Sequence, residues 1–372
     1  MADGTLIEWT EATWNPLRGC SRASTGCSNC YAERVAARFD GPGQPYEGLI
    51  HPSTGGWNGT VRLVPEVLNQ PIRWQRPRRI FVNSMSDLFH ESVSDEWIDT
   101  IFGIMWACLY TRHEQPGHVF QILTKRPERM RDYLQQDRRR QWADAAVRHG
   151  GGIDPDGIFD QTMEVARRGP HPRIWLGVSV ENQAAADERI ALLLQTPAAL
   201  RWLSCEPLLG PIDLTSVEWP RKGGHRVDVL RGGYWVAKGY PAWGPSAGLG
   251  ANRGFFTNHS DMETIDWVVV GGESGSKSRP MHAYWARSLR DQCAADGANV
   301  PYFFKQWGEW APAVAGMWFY MLDEGAPFAP RAAGKDTHDF GDGMGAVRLG
   351  KKRAGRLLDG QLHDAYPEVC NV

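Results

Sequence analysis

The chain has 372 residues, 42% of them hydrophobic, and its 41 Lys and Arg against 43 Asp and Glu leave a formal net charge of −2. That is enough apolar material for one large core or two smaller ones, and a balance this close to neutral neither demands nor excludes nucleic acid. No apolar run is long enough to cross a bilayer, and the N-terminus lacks a basic stretch followed by an apolar one, so neither membrane insertion nor an export signal is expected.

The first strand is expected just before Cys20, and a loop follows it. That loop carries Cys20, Cys27 and Cys30 in a C-x6-C-x2-C spacing within Gly19-Cys20 and Gly26-Cys27-Ser28-Asn29-Cys30-Tyr31. The seven cysteines are odd in number and three are clustered. In a chain without an export signal this pattern favours a cytoplasmic, reduced setting and metal ligation over disulfides. A closed structural metal site wants four protein ligands, whereas three thiolates leave one position open. The pattern points to a [4Fe-4S] cluster held by Cys20, Cys27 and Cys30, with a free iron for a small molecule. The competing reading is a structural zinc completed by a remote residue such as His51 or Cys205; against it, the loop has a single C-x2-C pair. Cys108, Cys293 and Cys370 read as small buried apolar residues.

Helix is expected over 30–38, followed by a Gly/Pro-rich loop over 40–59. Strands are expected over 79–83, 118–123, 174–180, 200–204, 265–270 and 300–305, each a short apolar run bounded by polar, Gly or Pro residues. Helices are expected between them, over 95–110, 126–134, 184–194 and 283–296. Such alternation predicts an α/β fold with a parallel sheet and six or seven βα units. The residues after each strand carry the chemistry: Ser84, Ser86 and Asp87; Thr124, Lys125 and Arg126; Ser179, Glu181 and Asn182; Cys205 and Glu206; Gly271, Gly272 and Glu273. Polar groups at the C-terminal ends of many parallel strands mark a barrel active site, whereas a doubly wound sheet gathers them at one switch point.

Two segments break the rhythm. Residues 214–261 form a long aromatic, Gly-rich insertion, including Gly232-Gly233-Tyr234-Trp235 and Tyr240-Pro241-Ala242-Trp243, and a loop of that length is usually functional or disordered. Residues 311–372 form a C-terminal extension with little strand character, so the barrel domain is drawn over 1–310. Basic clusters lie at 73–79, 125–140 and 351–356. They read either as solvated faces or, with the 17 Trp, as phosphate-contacting and base-stacking surface.

Taken as a set, Trp14-Asn15-Pro16, the cysteine loop, Leu123-Thr124-Lys125-Arg126-Pro127, Gly177-Val178-Ser179-Val180-Glu181-Asn182, Ser204-Cys205-Glu206-Pro207-Leu208 and Val270-Gly271-Gly272-Glu273-Ser274-Gly275 resemble the three-Cys-motif phage family of radical S-adenosylmethionine-like proteins. The matching segments run from about Trp9 to Trp310. The resemblance implies a partial (β/α)6 TIM-type barrel and two cofactors, a [4Fe-4S] cluster and S-adenosyl-L-methionine. It implies a 5′-deoxyadenosyl radical that abstracts hydrogen from substrate, and an external electron donor of flavodoxin or ferredoxin type. It also implies a modified thymine base in phage DNA as substrate, a radical isomerase or lyase as the activity, and the host cytoplasm as its place. Two features depart from the family pattern. The first gap is x6 instead of the commoner x3, and Asn29 stands where an aromatic often precedes the last cysteine, leaving Tyr31 as the nearby ring.

Carried onto this sequence, the cofactor-binding positions are Ser84, Ser86, Asp87, Thr124, Lys125, Ser179, Glu181, Asn182, Gly272, Glu273 and Tyr31. Cys205, as hydrogen-atom donor, and Glu206 are the catalytic candidates. For the Ser84–Asp87 cluster a helix-capping role weighs about equally; for Gly271-Gly272 the alternative is a tight turn. Three other functions fit the same sequence: a radical lyase that repairs DNA photolesions, a zinc-containing nucleic-acid-binding or partner-binding protein without turnover, and a degenerate barrel that keeps the cluster but binds a partner protein.

Overall fold

The computed structural model describes residues 4–110, 117–150, 154–219, 226–235, 256–258, 262–314 and 336–368. Seven strands make one sheet in chain order: β1 (Ala12–Trp14), β2 (Arg79–Val82), β3 (Val119–Thr124), β4 (Ile174–Ser179), β5 (Arg201–Cys205), β6 (Trp267–Gly271) and β7 (Tyr302–Gln306). The registers are parallel: Trp14 opposite Val82, Val82 opposite Ile122, Thr124 opposite Val178, Val270 opposite Cys205, and Val268 opposite Tyr302. β4, β5 and β6 are buried at every residue, which is why their sequences are continuous apolar runs without a two-residue alternation.

Strand and helix positions follow the sequence expectation closely. The helices are α1 (Tyr31–Arg38), α2 (Asp95–Tyr110), α3 (Pro127–Leu134), α4 (Arg139–His149), α5 (Pro155–Arg168), α6 (Gln183–Leu194) and α7 (Ala283–Ala294). The Ser94 hydroxyl accepts from the Trp97 N–H at the start of α2, and Asp95 and Glu96 complement its N-terminal dipole. α4 and α5 were not expected; their charged composition, Arg139-Arg140-Gln141 and Glu164 to Arg168, hides a narrow apolar stripe.

The chain divides into two compact units. The first comprises 1–178, 196–201 and 368–372; the second comprises 179–195 and 202–367. In the first, Trp9, Trp14 and Trp175 are fully buried; in the second, Trp202 and Trp267 are, with ring centroids 5.3 Å apart. Each buried indole contributes on the order of 4 kcal/mol of transfer free energy. These tryptophans are therefore core, not a stacking surface.

Two expectations are corrected. The insertion at 214–261 is not a plain loop: Phe256–Asn258, Gly233–Trp235, Arg226–Asp228 and Val217–Glu218 pair antiparallel in that order. Tyr240-Pro241-Ala242-Trp243 and Cys370 lie outside the described residues. The segment after 310 has more strand than its sequence suggests, with Met344–Arg348 pairing antiparallel with both Trp310–Val314 and Thr337–Asp339. Gly and Asp dilute the β-branched signal in these short strands, and cross-strand contacts stabilise them instead.

Candidate functional site

In the first unit the cysteine loop runs from Cys20 to Cys30 and leads directly into α1. All three thiols are unpaired and half-buried. Burial first, then Asp87, raises the Cys20 thiol to about 12, with further contributions from Cys30 and Cys27 and an opposing one from Arg126. Burial also raises Cys30, against the backbone N–H of Glu33, which favours its thiolate. A thiol held protonated this way ionises when a metal displaces its proton.

The loop is fastened at both ends. Gly19 has φ +97°, and a Cβ there would lie 2.1 Å from the Thr60 carbonyl oxygen, so only glycine fits. Glu33, in the first turn of α1 and buried, accepts from Arg22 Nε at 3.1 Å and Nη2 at 2.6 Å, and from the Trp57 N–H at 2.9 Å. This carboxylate therefore clamps the segment between Cys20 and Cys27 against α1.

Arg126, which follows β3, ties the loop to the ends of two strands. Its Nη2 donates to the Ser21 hydroxyl at 2.7 Å and the Ser21 carbonyl at 3.2 Å; its Nη1 lies 4.0 Å from the Cys20 sulfur. Nη1 also meets Asp87 at 3.1 Å, and Nε meets Glu91 at 2.8 Å. Asp87, which follows β2, accepts from the Thr124 hydroxyl at 2.7 Å, the Lys125 N–H at 3.1 Å and the Phe89 N–H at 3.0 Å. Both oxygens of this buried carboxylate are therefore engaged. His90 completes the cluster. Its Nδ1 accepts from the Ser92 N–H at 3.1 Å, which leaves the proton on Nε2, 2.9 Å from the Ser21 hydroxyl.

Several expected cofactor positions have structural partners. Ser84 donates to Asn15 at 3.1 Å, and Ser86 donates to the Leu17 carbonyl at 3.1 Å. The Tyr31 hydroxyl donates to the Ser84 carbonyl, and its ring is exposed. Asn83, in left-handed backbone at φ 60°, turns the chain sharply after β2 and brings these residues back onto the loop after β1. The sequence did not point to Glu33, Glu91, His90 or Arg22. The available signal was the acid in the first turn of α1, three residues beyond its N-cap.

In the second unit each nominated carboxylate has a cationic partner. Glu181 and Arg189 meet at 2.9 Å with side chains 1% and 3% exposed. Glu206 and Lys305 meet at 3.0 Å, and Glu273 and Arg279 at 2.6 Å. Arg189 also donates to the Ser179 carbonyl at 2.8 Å, and Asn182 caps α6 by accepting from the Ala185 N–H at 3.0 Å. The Glu206–Pro207 peptide is cis. A Cβ on Gly271 would lie 2.5 Å from Glu206 Oε1, and one on Gly272 would lie 1.9 Å from the Trp307 carbonyl oxygen. Both glycines are set by close packing. Cys205 is fully buried, and burial raises its thiol well above the ordinary range.

The basic run at 125–140 is largely neutralised: Arg129 pairs with Asp95, Arg131 with Asp132, Arg138 with Asp99 and Arg139 with Asp137. Arg140, 81% exposed, lies 3.9 Å from Asp144. In the other clusters, Arg78 stacks on Trp74 and Arg356 on Phe303.

The donor chemistry of the loop suits an iron–sulfur cluster: three thiols without disulfide partners on one fastened segment. Among the described residues no three or more His, Cys, Asp or Glu side chains converge as ligands of a metal ion. A cluster, whose thiolates bind separate irons, does not ask for that convergence. Among the same residues no helix is long and apolar enough to cross a membrane.

Residues 4–367 match the model of the family described as Protein of unknown function (DUF5131), and the chain belongs to that family. No curated protein and no solved structure matches it.

Proposed function

We propose that this chain, a member of the DUF5131 family, is a radical S-adenosylmethionine enzyme. Cys20, Cys27 and Cys30 would hold a [4Fe-4S] cluster, with S-adenosyl-L-methionine at the open iron and an external flavodoxin- or ferredoxin-type electron donor. When bound, these groups supply a carbon-centred radical able to take a hydrogen atom from substrate. The observation that carries the reading is the set of three unpaired thiols on one loop, fastened by Arg126 and Glu33.

The protein's own residues have defined parts in this reading. Arg126 holds the Cys20–Ser21 backbone in register with the ends of β2 and β3, and Asp87 balances its charge. Cys205 keeps its proton because burial disfavours its thiolate, and a hydrogen-atom donor must carry that proton. Glu206 is held beside it in sequence by Lys305. The substrate we assign, a modified thymine base in DNA, and the isomerase or lyase outcome follow from the resemblance of the motifs, which is an analogy of family.

The test is anaerobic reconstitution with iron and sulfide analysis, then a dithionite-driven assay for 5′-deoxyadenosine with and without thymine-modified DNA. About four irons per chain, a visible charge-transfer band, and 5′-deoxyadenosine lost in Cys27→Ala are expected. Stoichiometric zinc with a colourless protein and no 5′-deoxyadenosine would sink the reading.

A further inference from the structure

The first unit holds a cavity that shares no residue with those placed around the cysteines. This cavity, of about 330 Å³, opens between α2, α4, α5 and β4, a volume in the range of small-molecule sites. Its walls include Phe102, Trp106, Trp142, His171, Ile174 and Ala198. The aromatic groups are ordered as a stack. Phe102 and Trp142 are 5.2 Å apart at 15°, Trp106 and Trp142 are 6.4 Å apart at 23°, and His171 stands edge-on to Trp106 at 5.2 Å.

The two indoles differ in one respect. Trp142 donates its N–H to the Tyr133 hydroxyl at 2.8 Å, and that hydroxyl donates to Asp99 at 2.7 Å. The Trp106 N–H is buried and has no partner, although its ring forms part of the cavity wall. A buried unpaired donor is destabilising, and an acceptor brought against it removes that cost. The arginines at the rim are already matched: Arg138 by Asp99, Arg139 by Asp137, Arg167 by Glu164. Burial, with the Arg173 guanidinium, lowers His171 to about 4, so the ring is neutral at physiological pH. The cavity therefore offers flat aromatic faces, one orphan donor and no uncompensated charge.

We propose that this cavity binds a neutral, planar heteroaromatic molecule, stacked on the Phe102–Trp142 wall, with an edge acceptor that takes the Trp106 N–H after a small turn of the indole. The proposal does not depend on the cluster, so the whole chain without iron suffices to test it.

The probe is adenine, titrated by calorimetry, with cyclohexanol as a non-planar control of smaller bulk. Saturable adenine binding is expected, weakened roughly tenfold in Trp106→Phe and abolished in Ala198→Phe, which fills the cavity; both variants are first shown to melt cooperatively. A crystal structure with adenine should place a ring nitrogen within hydrogen-bonding distance of Trp106 Nε1. No saturable binding at millimolar adenine, equal binding of cyclohexanol, or unchanged affinity in Trp106→Phe would overturn the proposal, as would a crystal structure holding only water in the cavity.

Discussion

Arg126 and Asp87 show how one ion pair can decide the shape of a loop. Their side chains are 14% and 8% exposed, so removing the cation leaves a nearly buried carboxylate uncompensated. Arg126→Gln should cost about 3 kcal/mol in chemical denaturation, and in the folded variant Cys20 should react more slowly with a thiol reagent than in wild type, because the charge that favours its thiolate is gone while Asp87 remains. Unchanged Cys20 reactivity would show that the guanidinium does not act on that thiol. His171 gives a second prediction. Its folded-state value of about 4 lies below its ordinary 6.5. Between those values the unfolded chain binds the proton and the folded chain does not, so stability is full above pH 6.5 and falls as pH drops towards 4. The loss approaches roughly 3 kcal/mol at the acid end. Unfolding free energies of wild type and His171→Gln, followed from pH 7 to 4, should shift relative to each other by that amount in the variant's favour.

At the scale of elements, α2 and α4 cross at Gly103, where an added Cβ would lie 2.4 Å from the Ala145 Cβ. Glycine within a helix normally costs about 1 kcal/mol against alanine. Here overpacking should win, because the same Cβ would also lie 2.8 Å from the Ala146 nitrogen and 2.9 Å from the Ala145 carbonyl carbon: Gly103→Ala is expected to destabilise by a net ~1–2 kcal/mol, read from the thermal midpoint, and Ala145→Gly should not rescue it. The contrast explains what was legible. α2 is marked by Ser94, two acids and an apolar run, and its bounds were readable to the residue. α4 and α5 carry charged residues on most of their exposed positions, and no periodic signal separates them from a charged loop. The four short strands within 214–261 likewise rest on pairing between distant segments, which a single sequence does not print.

Across the whole molecule, the distribution of charge matters more than its sum of −2. The arginines at 129, 131, 138 and 139 all have carboxylate partners, which removes much of the counterion release that nucleic-acid affinity draws on. Arg138→Ala should therefore lower stability by leaving the buried Asp99 without its cation, and any loss of affinity for duplex DNA in fluorescence polarisation should track unfolding. Arg140→Ala, at an exposed position, should leave both stability and affinity within error. A selective loss of DNA affinity in the Arg140 variant, with its salt slope reduced, would restore that stretch as a phosphate-contacting surface.

The sequence by itself determined the α/β alternation, six of the seven strands of the parallel sheet, and the cluster of three cysteines after the first. These are local properties: apolar runs, caps and ligand spacing are written in consecutive residues. Only the tertiary structure decided which polar groups are free to act. Ser84, Ser86, Asp87, Asn182, Glu181, Glu206 and Glu273 look alike in sequence as candidate ligands, yet each has a hydrogen-bond or ion-pair partner. Burial makes an unpaired polar or charged group costly, and the partners that relieve it lie between 3 residues away, for Asn182 and Ala185, and 99 away, for Glu206 and Lys305. The orphan Trp106 N–H became visible for the same reason, because a missing partner can be recognised only when every neighbour is in place.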